Sequence, residues 1–225
     1  MDTQNIINSF INKQLCIEAF THRSFLNESK EKVPSNERLE FLGDAVLEIV
    51  VSEYLFEAFP QYPEGILTQL RSSIVRTETL AKVSRKLLLG EQLRLSKGEE
   101  EHGGRTNQSI LANTFEALVG ALYLDRGMNT AKAFIKTHLF PYIGDIVKKR
   151  SYRDAKSQLQ EIVQERRKIT PVYTVLDEEG PDHQKIFTVG VFVGEEEIGR
   201  GTGRNKQSAE NNAAVEALKK YSEEE

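Results

Sequence analysis

The chain has 225 residues, enough for one large domain or for a medium domain followed by a small one. Hydrophobic residues make up 39% and charged residues 28%, the balance of a soluble globular protein, and the single cysteine, Cys16, excludes an intrachain disulfide and a cysteine-based zinc cluster. Lys and Arg number 30 against 34 Asp and Glu, and this net charge of −4, taken alone, argues against a nucleic-acid partner.

In chain order, residues 1–150 carry helical periodicity broken by short turns. Leu39, Leu42, Val46, Leu47, Ile49 and Val50 form one apolar face. Leu67, Leu70, Ile74 and Val75 form the next, followed by Leu80, Val83 and Leu87. Ile110 to Leu124 is the most apolar stretch, and Ala131 to Ile146 continues the pattern. The stops are Phe59-Pro60, Tyr62-Pro63, Gly90, Gly103-Gly104 and Gly127, with a loop expected at 98–104. No strand pattern stands out, so the expectation is an all-α domain. After the polar stretch Lys148-Lys149-Arg150-Ser151 the texture changes, and residues 151–225 read as a second, α+β domain with an acidic tail at 222–225. Ala155–Arg166 is an amphipathic helix, Val172–Leu176 a strand, and Glu179-Gly180-Pro181-Asp182 a turn. Lys185–Val193 alternates, with Ile186, Thr188, Gly190 and Phe192 on one side and Phe187, Val189, Val191 and Val193 on the other. Gly194-Glu195-Glu196 turns the chain, Glu197–Gly201 returns it, and Lys206–Tyr221 is a helix with an alanine-rich inner face. The order is α-β-β-β-α.

Met1-Asp2-Thr3-Gln4-Asn5 has no signal-peptide character. Leu111–Leu124 is interrupted by Asn113, Thr114 and Glu116 and is too short to span a bilayer. The expected setting is reducing and cytoplasmic, with no membrane partner and no small-molecule cofactor.

The informative segment is Asn36-Glu37-Arg38-Leu39-Glu40-Phe41-Leu42-Gly43-Asp44. Glu37, Glu40 and Asp44 stand at i, i+3 and i+7, which stacks three carboxylates on one helix face. Such a row is ordinarily a solvated surface. Asn113 and Glu116, again at i and i+3, weigh against that, because they sit in the most apolar helix, where an acid needs a partner. An all-oxygen set of Glu40, Asp44, Asn113 and Glu116 suits a hard cation, Mg²⁺ or Mn²⁺, which can activate water against a phosphodiester.

Asn36–Asp44 resembles the signature of the ribonuclease III family. Ala19-Phe20-Thr21-His22-Arg23-Ser24 upstream is similar to that family too, as are Pro63-Glu64-Gly65, Leu70-Arg71-Ser72-Ser73 and Leu111-Ala112-Asn113-Thr114-Phe115-Glu116-Ala117. The second part resembles the double-stranded-RNA-binding domain that follows the nuclease domain in bacterial members. The resemblance implies a homodimeric, Mg²⁺-dependent endonuclease, with Mn²⁺ as a substitute, that cleaves both strands of double-stranded RNA. It implies 5′-phosphate and 3′-hydroxyl ends with short 3′ overhangs, and the processing of ribosomal and other structured precursor RNAs. By this resemblance Glu40, Asp44 and Glu116 match metal-binding carboxylates, with Asp44 and Glu116 closest to catalysis. Glu37 and Glu64 match acidic positions of the cleft whose roles are less defined. Asn113 departs from the Asp of many members, which implies weaker or more selective metal binding. His22 reads as a hydrogen-bonded structural histidine, His102 and His138 as incidental, and Cys16 as core. Phe41 is either core or a dimer contact.

Duplex RNA is read by shape, through 2′-hydroxyls and phosphates. Ser157, Gln160 and Glu161 share a polar face of the first helix of the second part, and their family counterparts touch the minor groove. His183 matches a further minor-groove contact. Arg204, Asn205, Lys206 and Gln207 open the last helix, whose N-terminus favours phosphate. Gln207 stands where relatives often carry a cation. The alternative left open is a non-catalytic double-stranded-RNA-binding protein that keeps the nuclease fold.

Overall fold

The computed structural model describes residues 3–148, 155–181 and 185–222. The chain divides into two compact units, Met1–Tyr152 and Arg153–Glu225. The expected boundary at 150/151 and residues 223–225 of the expected tail at 222–225 lie outside the described residues, whereas Ser222 ends the last helix.

The described part of the first unit is helical, apart from one isolated parallel bridge between Thr21 and Arg94. Its helices are α1 (Thr3–Ser9), α2 (Lys13–Ala19), α3 (Glu37–Ala58), α4 (Glu64–Val75), α5 (Thr77–Lys86), α6 (Leu89–Gln92), α7 (Lys97–Glu101), α8 (Gln108–His138) and α9 (Ile143–Lys148). The core lies between α3 and α8, where Leu47, Leu55, Leu70, Ile74, Phe115, Leu118 and Ile135 are fully buried. Cys16 is buried there as well.

Both long helices have defined starts. Asn36 is buried and donates its backbone N–H to Thr21 O at 2.8 Å, and its side chain reaches Ala19 O at 3.3 Å. Glu37 and Glu40 then occupy the first turn of α3, where the helix dipole favours acids. Asn107 caps α8 by accepting from the N–H groups of Ser109 and Ile110 at 2.9 and 3.2 Å. Gly127 breaks α8 at φ 79 and ψ 177, a backbone conformation open to glycine. Just before it, the Asp125 carboxylate accepts from the N–H groups of Ile11 and Asn12 at 2.9 and 2.7 Å.

Two expectations need correction. Segment 98–104 is not all loop: Lys97–Glu101 forms α7, capped by Ser96, whose Oγ accepts from Glu99 N at 3.2 Å. Ile49, read into the apolar face of its helix with residues that are buried, is 58% exposed, and Phe41 on the same helix is 81% exposed. Phe41 is therefore not core of its own chain.

In the second unit, α10 (Ala155–Arg167) and α11 (Lys206–Ser222) cover one face of an antiparallel sheet ordered β1 (Val172–Glu179), β2 (Ile186–Val193), β3 (Glu196–Gly203). β1 and β3 extend beyond the segments read from sequence, because Asp177, Glu178 and Glu179 pair with Thr188, Phe187 and Ile186, and Thr202 and Gly203 pair with Thr188 and Phe187 on the other side of β2. Val189, Val191 and Val193 point into the core with Leu159, Val163 and the alanines of α11. Gly199 and Gly201 let that alanine face close on the sheet: a Cβ on Gly201 would stand 2.2 Å from Ala213 N. Among the described residues no helix is long and apolar enough to cross a membrane.

Candidate functional site

The acidic cluster is built by one helix crossing. A Cβ on Gly43 of α3 would lie 1.8 Å from the carbonyl oxygen of Glu116, and one on Gly120 of α8 would lie 2.3 Å from Leu39 O. The two backbones therefore touch, which no larger residue allows. Gly43 sits between Glu40 and Asp44, and Gly120 lies one turn beyond Glu116, so the crossing sets Glu40 and Asp44 beside Asn113 and Glu116. The role of the two glycines was missed in the sequence. The available signal is that glycine inside a helix costs about 1 kcal/mol relative to Ala, so its presence in two long helices calls for a packing reason.

The electrostatics show the grouping. Burial pushes the Glu116 carboxyl up to about 8, with the charges of Asp44 and then Glu40 adding to it. The Glu40 carboxyl is raised by burial first, then by Glu37 and Asp44, while a hydrogen bond from the Asn113 side chain opposes the shift. Asn113 thus donates to Glu40, which an Asp in its ionised form cannot do.

Glu37 stands at the outer end of the row. Its carboxylate pairs with Arg23 at 3.3 Å and accepts from Ser35 Oγ at 2.9 Å. Glu64 is not drawn into the cluster. It opens α4, accepts from Thr68 Oγ1 at 2.9 Å, and lines a groove of about 640 Å³ with Ile49, Phe56, Tyr62, Leu67 and Arg71. His22 caps the turn Arg23–Asn27, its Nδ1 meeting Ser24 Oγ at 2.9 Å, and burial lowers its pKa. That is a structural arrangement.

Among the described residues no group of three or more His, Cys, Asp or Glu side chains stands in closed ligand geometry. Glu40, Asp44 and Glu116 lie near enough for their charges to act on one another. Their donor set nevertheless fits a hard divalent cation: three carboxylates and an amide, all oxygen, with the mutual repulsion that a cation offsets. Glu116 gives a thermodynamic handle on this. Its folded pKa lies above the unfolded carboxyl value, so the folded state keeps a proton that the unfolded state releases. In EDTA, stability should therefore fall as pH rises from about 4.5 to about 8 and level off beyond, by several degrees of melting temperature. Mg²⁺ should flatten the decline. An identical decline in Glu116→Gln would remove this assignment.

In the second unit Ser157 is half-buried, whereas Gln160 and Glu161 are exposed on α10. Arg204, Asn205, Lys206 and Gln207 are all exposed at the start of α11. Asn205 caps that helix, its Oδ1 accepting from Ser208 N at 2.8 Å. Lys206 Nζ lies 3.4 Å from Glu178. His183 lies outside the described residues.

Comparisons with known proteins agree with this division. The family profile described as Ribonuclease-III-like matches residues 12–143, and the double-stranded RNA binding motif matches residues 155–221. The chain is 50% identical over 207 residues to a Ribonuclease 3 of Pelotomaculum thermopropionicum, covering 92% of this chain and 86% of that one. Two solved structures of the nuclease domain of a ribonuclease III from Campylobacter jejuni align with it. One has a TM-score of 0.56 at 40% identity and covers 61% of this chain and 90% of that one. The other, which concerns structural flexibility in a region involved in dimer formation, has a TM-score of 0.55 at 42% identity and covers 61% and 95%. With both domains matched in order, the chain belongs to the ribonuclease III family of endoribonucleases.

Proposed function

We propose that the protein is a Mg²⁺-dependent endoribonuclease, with Mn²⁺ able to substitute, that hydrolyses both strands of double-stranded RNA. The products are 5′-phosphate and 3′-hydroxyl ends with short 3′ overhangs, and the substrates are ribosomal and other structured precursor RNAs in the cytoplasm. The observation that carries this reading is the coupled set of Glu40, Asp44, Asn113 and Glu116 at the Gly43–Gly120 crossing.

A bound divalent cation supplies Lewis acidity toward the phosphodiester and makes water nucleophilic at neutral pH. Glu40, Asp44 and Glu116 offer carboxylate oxygens to it, and Asn113 an amide oxygen. Glu116 must release its proton to ligate, so cation affinity rises with pH toward about 8. Ser157, Gln160, Glu161 and His183 meet the minor groove, while Arg204, Asn205, Lys206 and Gln207 face phosphate at the start of α11. Cleavage of a perfect RNA duplex in Mg²⁺ that stops in EDTA is the expected result. Binding without cutting in every divalent metal removes the reading.

Homodimerisation is supported by the outer stripe of α3. Phe41, Ile49 and Phe56, the last 75% exposed, lie along one helix face, and the apolar groove of Ile49, Phe56 and Tyr62 adjoins it. The similar Campylobacter jejuni nuclease domain has a region involved in dimer formation.

Asn113 tunes the site in both directions. Asn113→Asp replaces a donor to Glu40 with a repelling charge, so it should melt earlier in EDTA and reach half-maximal rate at several-fold lower Mg²⁺. Identical Mg²⁺ midpoints would show that the amide is neutral in its effect.

A further inference from the structure

The end of β1 gathers two lysines around one acid. Glu178 Oε2 lies 3.0 Å from Lys185 Nζ, and Oε1 of the same carboxylate lies 3.4 Å from Lys206 Nζ. Both ammonium groups also stand over one ring, that of Phe187, at 5.9 and 5.6 Å from its centroid. Glu178 and Phe187 are partners across the β1–β2 ladder, so the backbone holds carboxylate and ring side by side. Lys206 is the first residue of α11, where the helix dipole favours an anion.

Two ammonium groups converging at a helix start form a seat for a group with two anionic oxygens. A carboxylate has that shape, and so does an RNA phosphodiester with its two non-bridging oxygens. We propose that Lys185 and Lys206 form one phosphate seat on the duplex-binding surface, which Glu178 occupies until RNA displaces its carboxylate. The inference rests on the reading of the α11 start as a phosphate contact, and it adds Lys185 and an internal competitor to that contact. The two lysines hold the Glu178 carboxyl below the usual carboxylate range, so it competes as a full charge at neutral pH. Exposed ion pairs of this kind are weak, so a polyanion can replace them.

The test uses the full chain, a fluorescent perfect RNA duplex and EDTA, so that binding is read without cutting. Glu178→Gln should tighten binding about three- to tenfold at low salt, and the gain should shrink as salt screens the pairs. Glu179→Gln, which removes the same charge one residue further along β1, should change affinity less than about twofold. Lys185→Gln should weaken binding about threefold or more, and in a Lys185→Gln, Lys206→Gln background Glu178→Gln should gain nothing. Unchanged or weaker binding by Glu178→Gln overturns the proposal, as does an equal gain from Glu179→Gln. Should Glu178→Gln melt early, Lys185→Gln decides alone, and wild-type affinity in that variant overturns the seat. A wild-type chain that fails to bind duplex at any salt refutes the RNA-binding reading itself, and the proposal with it.

Discussion

Glu116→Gln should lower the single-turnover cleavage rate of an RNA duplex about a thousandfold or more, while binding of the same duplex in EDTA stays within twofold (about the error of the measurement). The loss arises because an amide cannot supply the anionic oxygen that a hard cation needs, and Glu116 is the most deeply set acid of the cluster. Binding is spared because the expected duplex contacts belong to the other unit. A third readout separates site chemistry from damage to the fold. The substitution removes a half-buried acid crowded by Asp44 and Glu40, so the metal-free variant should melt higher than wild type at pH 8. A variant that cuts at the wild-type rate, or that loses binding in step with cleavage, would sink the assignment.

Gly43→Ala and Gly120→Ala should each destabilise the nuclease unit by about 3 kcal/mol or more, lowering its melting temperature by roughly 5–10 °C. Helix propensity alone dictates the opposite sign, a gain of about 1 kcal/mol. The steric term wins because the added methyl meets backbone, Glu116 O at 1.8 Å or Leu39 O at 2.3 Å, and a backbone carbonyl cannot rotate away as a side chain can. Relief requires the helices to part, which also separates Glu40 and Asp44 from Asn113 and Glu116. Cleavage should therefore drop even at temperatures where the variants are folded. Gly65→Ala is the control, since nothing lies within 4 Å of its added Cβ. If Gly43→Ala melts as high as Gly65→Ala, the close crossing is not what sets the site.

Much of this site could be read from residue spacing. Glu37, Glu40 and Asp44 recur at helical intervals, and α3 puts them on one face. The alternation along β2 correctly separates Val189, Val191 and Val193 from Thr188 and Phe192. What periodicity could not decide is the destination of an apolar face. Periodicity reads Ile49 into the apolar repeat of α3 and leaves Phe41 between core and dimer contact, yet both face outward, because hydrophobic spacing does not say which partner covers a face. Helix α7 escaped notice for another reason. Lys97-Gly98-Glu99-Glu100-Glu101 has no apolar repeat, and it is held instead by the Ser96 cap and by Arg105, whose guanidinium binds Glu100 at 2.7 Å and the carbonyls of Gly90 and Leu93. Glu64 shares the acidic character of the cluster but not its place, because it starts a helix that faces the groove.

The break at Gly127 has a consequence for how this helix can change over time. In an unbroken α-helix an added residue rotates everything beyond it by about 100° relative to what came before. Asn113, Glu116 and Gly120 lie on the capped side of the break, and Ala131, Phe134 and Ile135 on the other. The break separates the angular setting of the half that carries Asn113 and Glu116 from that of the half beyond it. A length change at the joint itself would re-aim Ala131, Phe134 and Ile135 against the core while leaving the helical register of Asn113, Glu116 and Gly120 as it is.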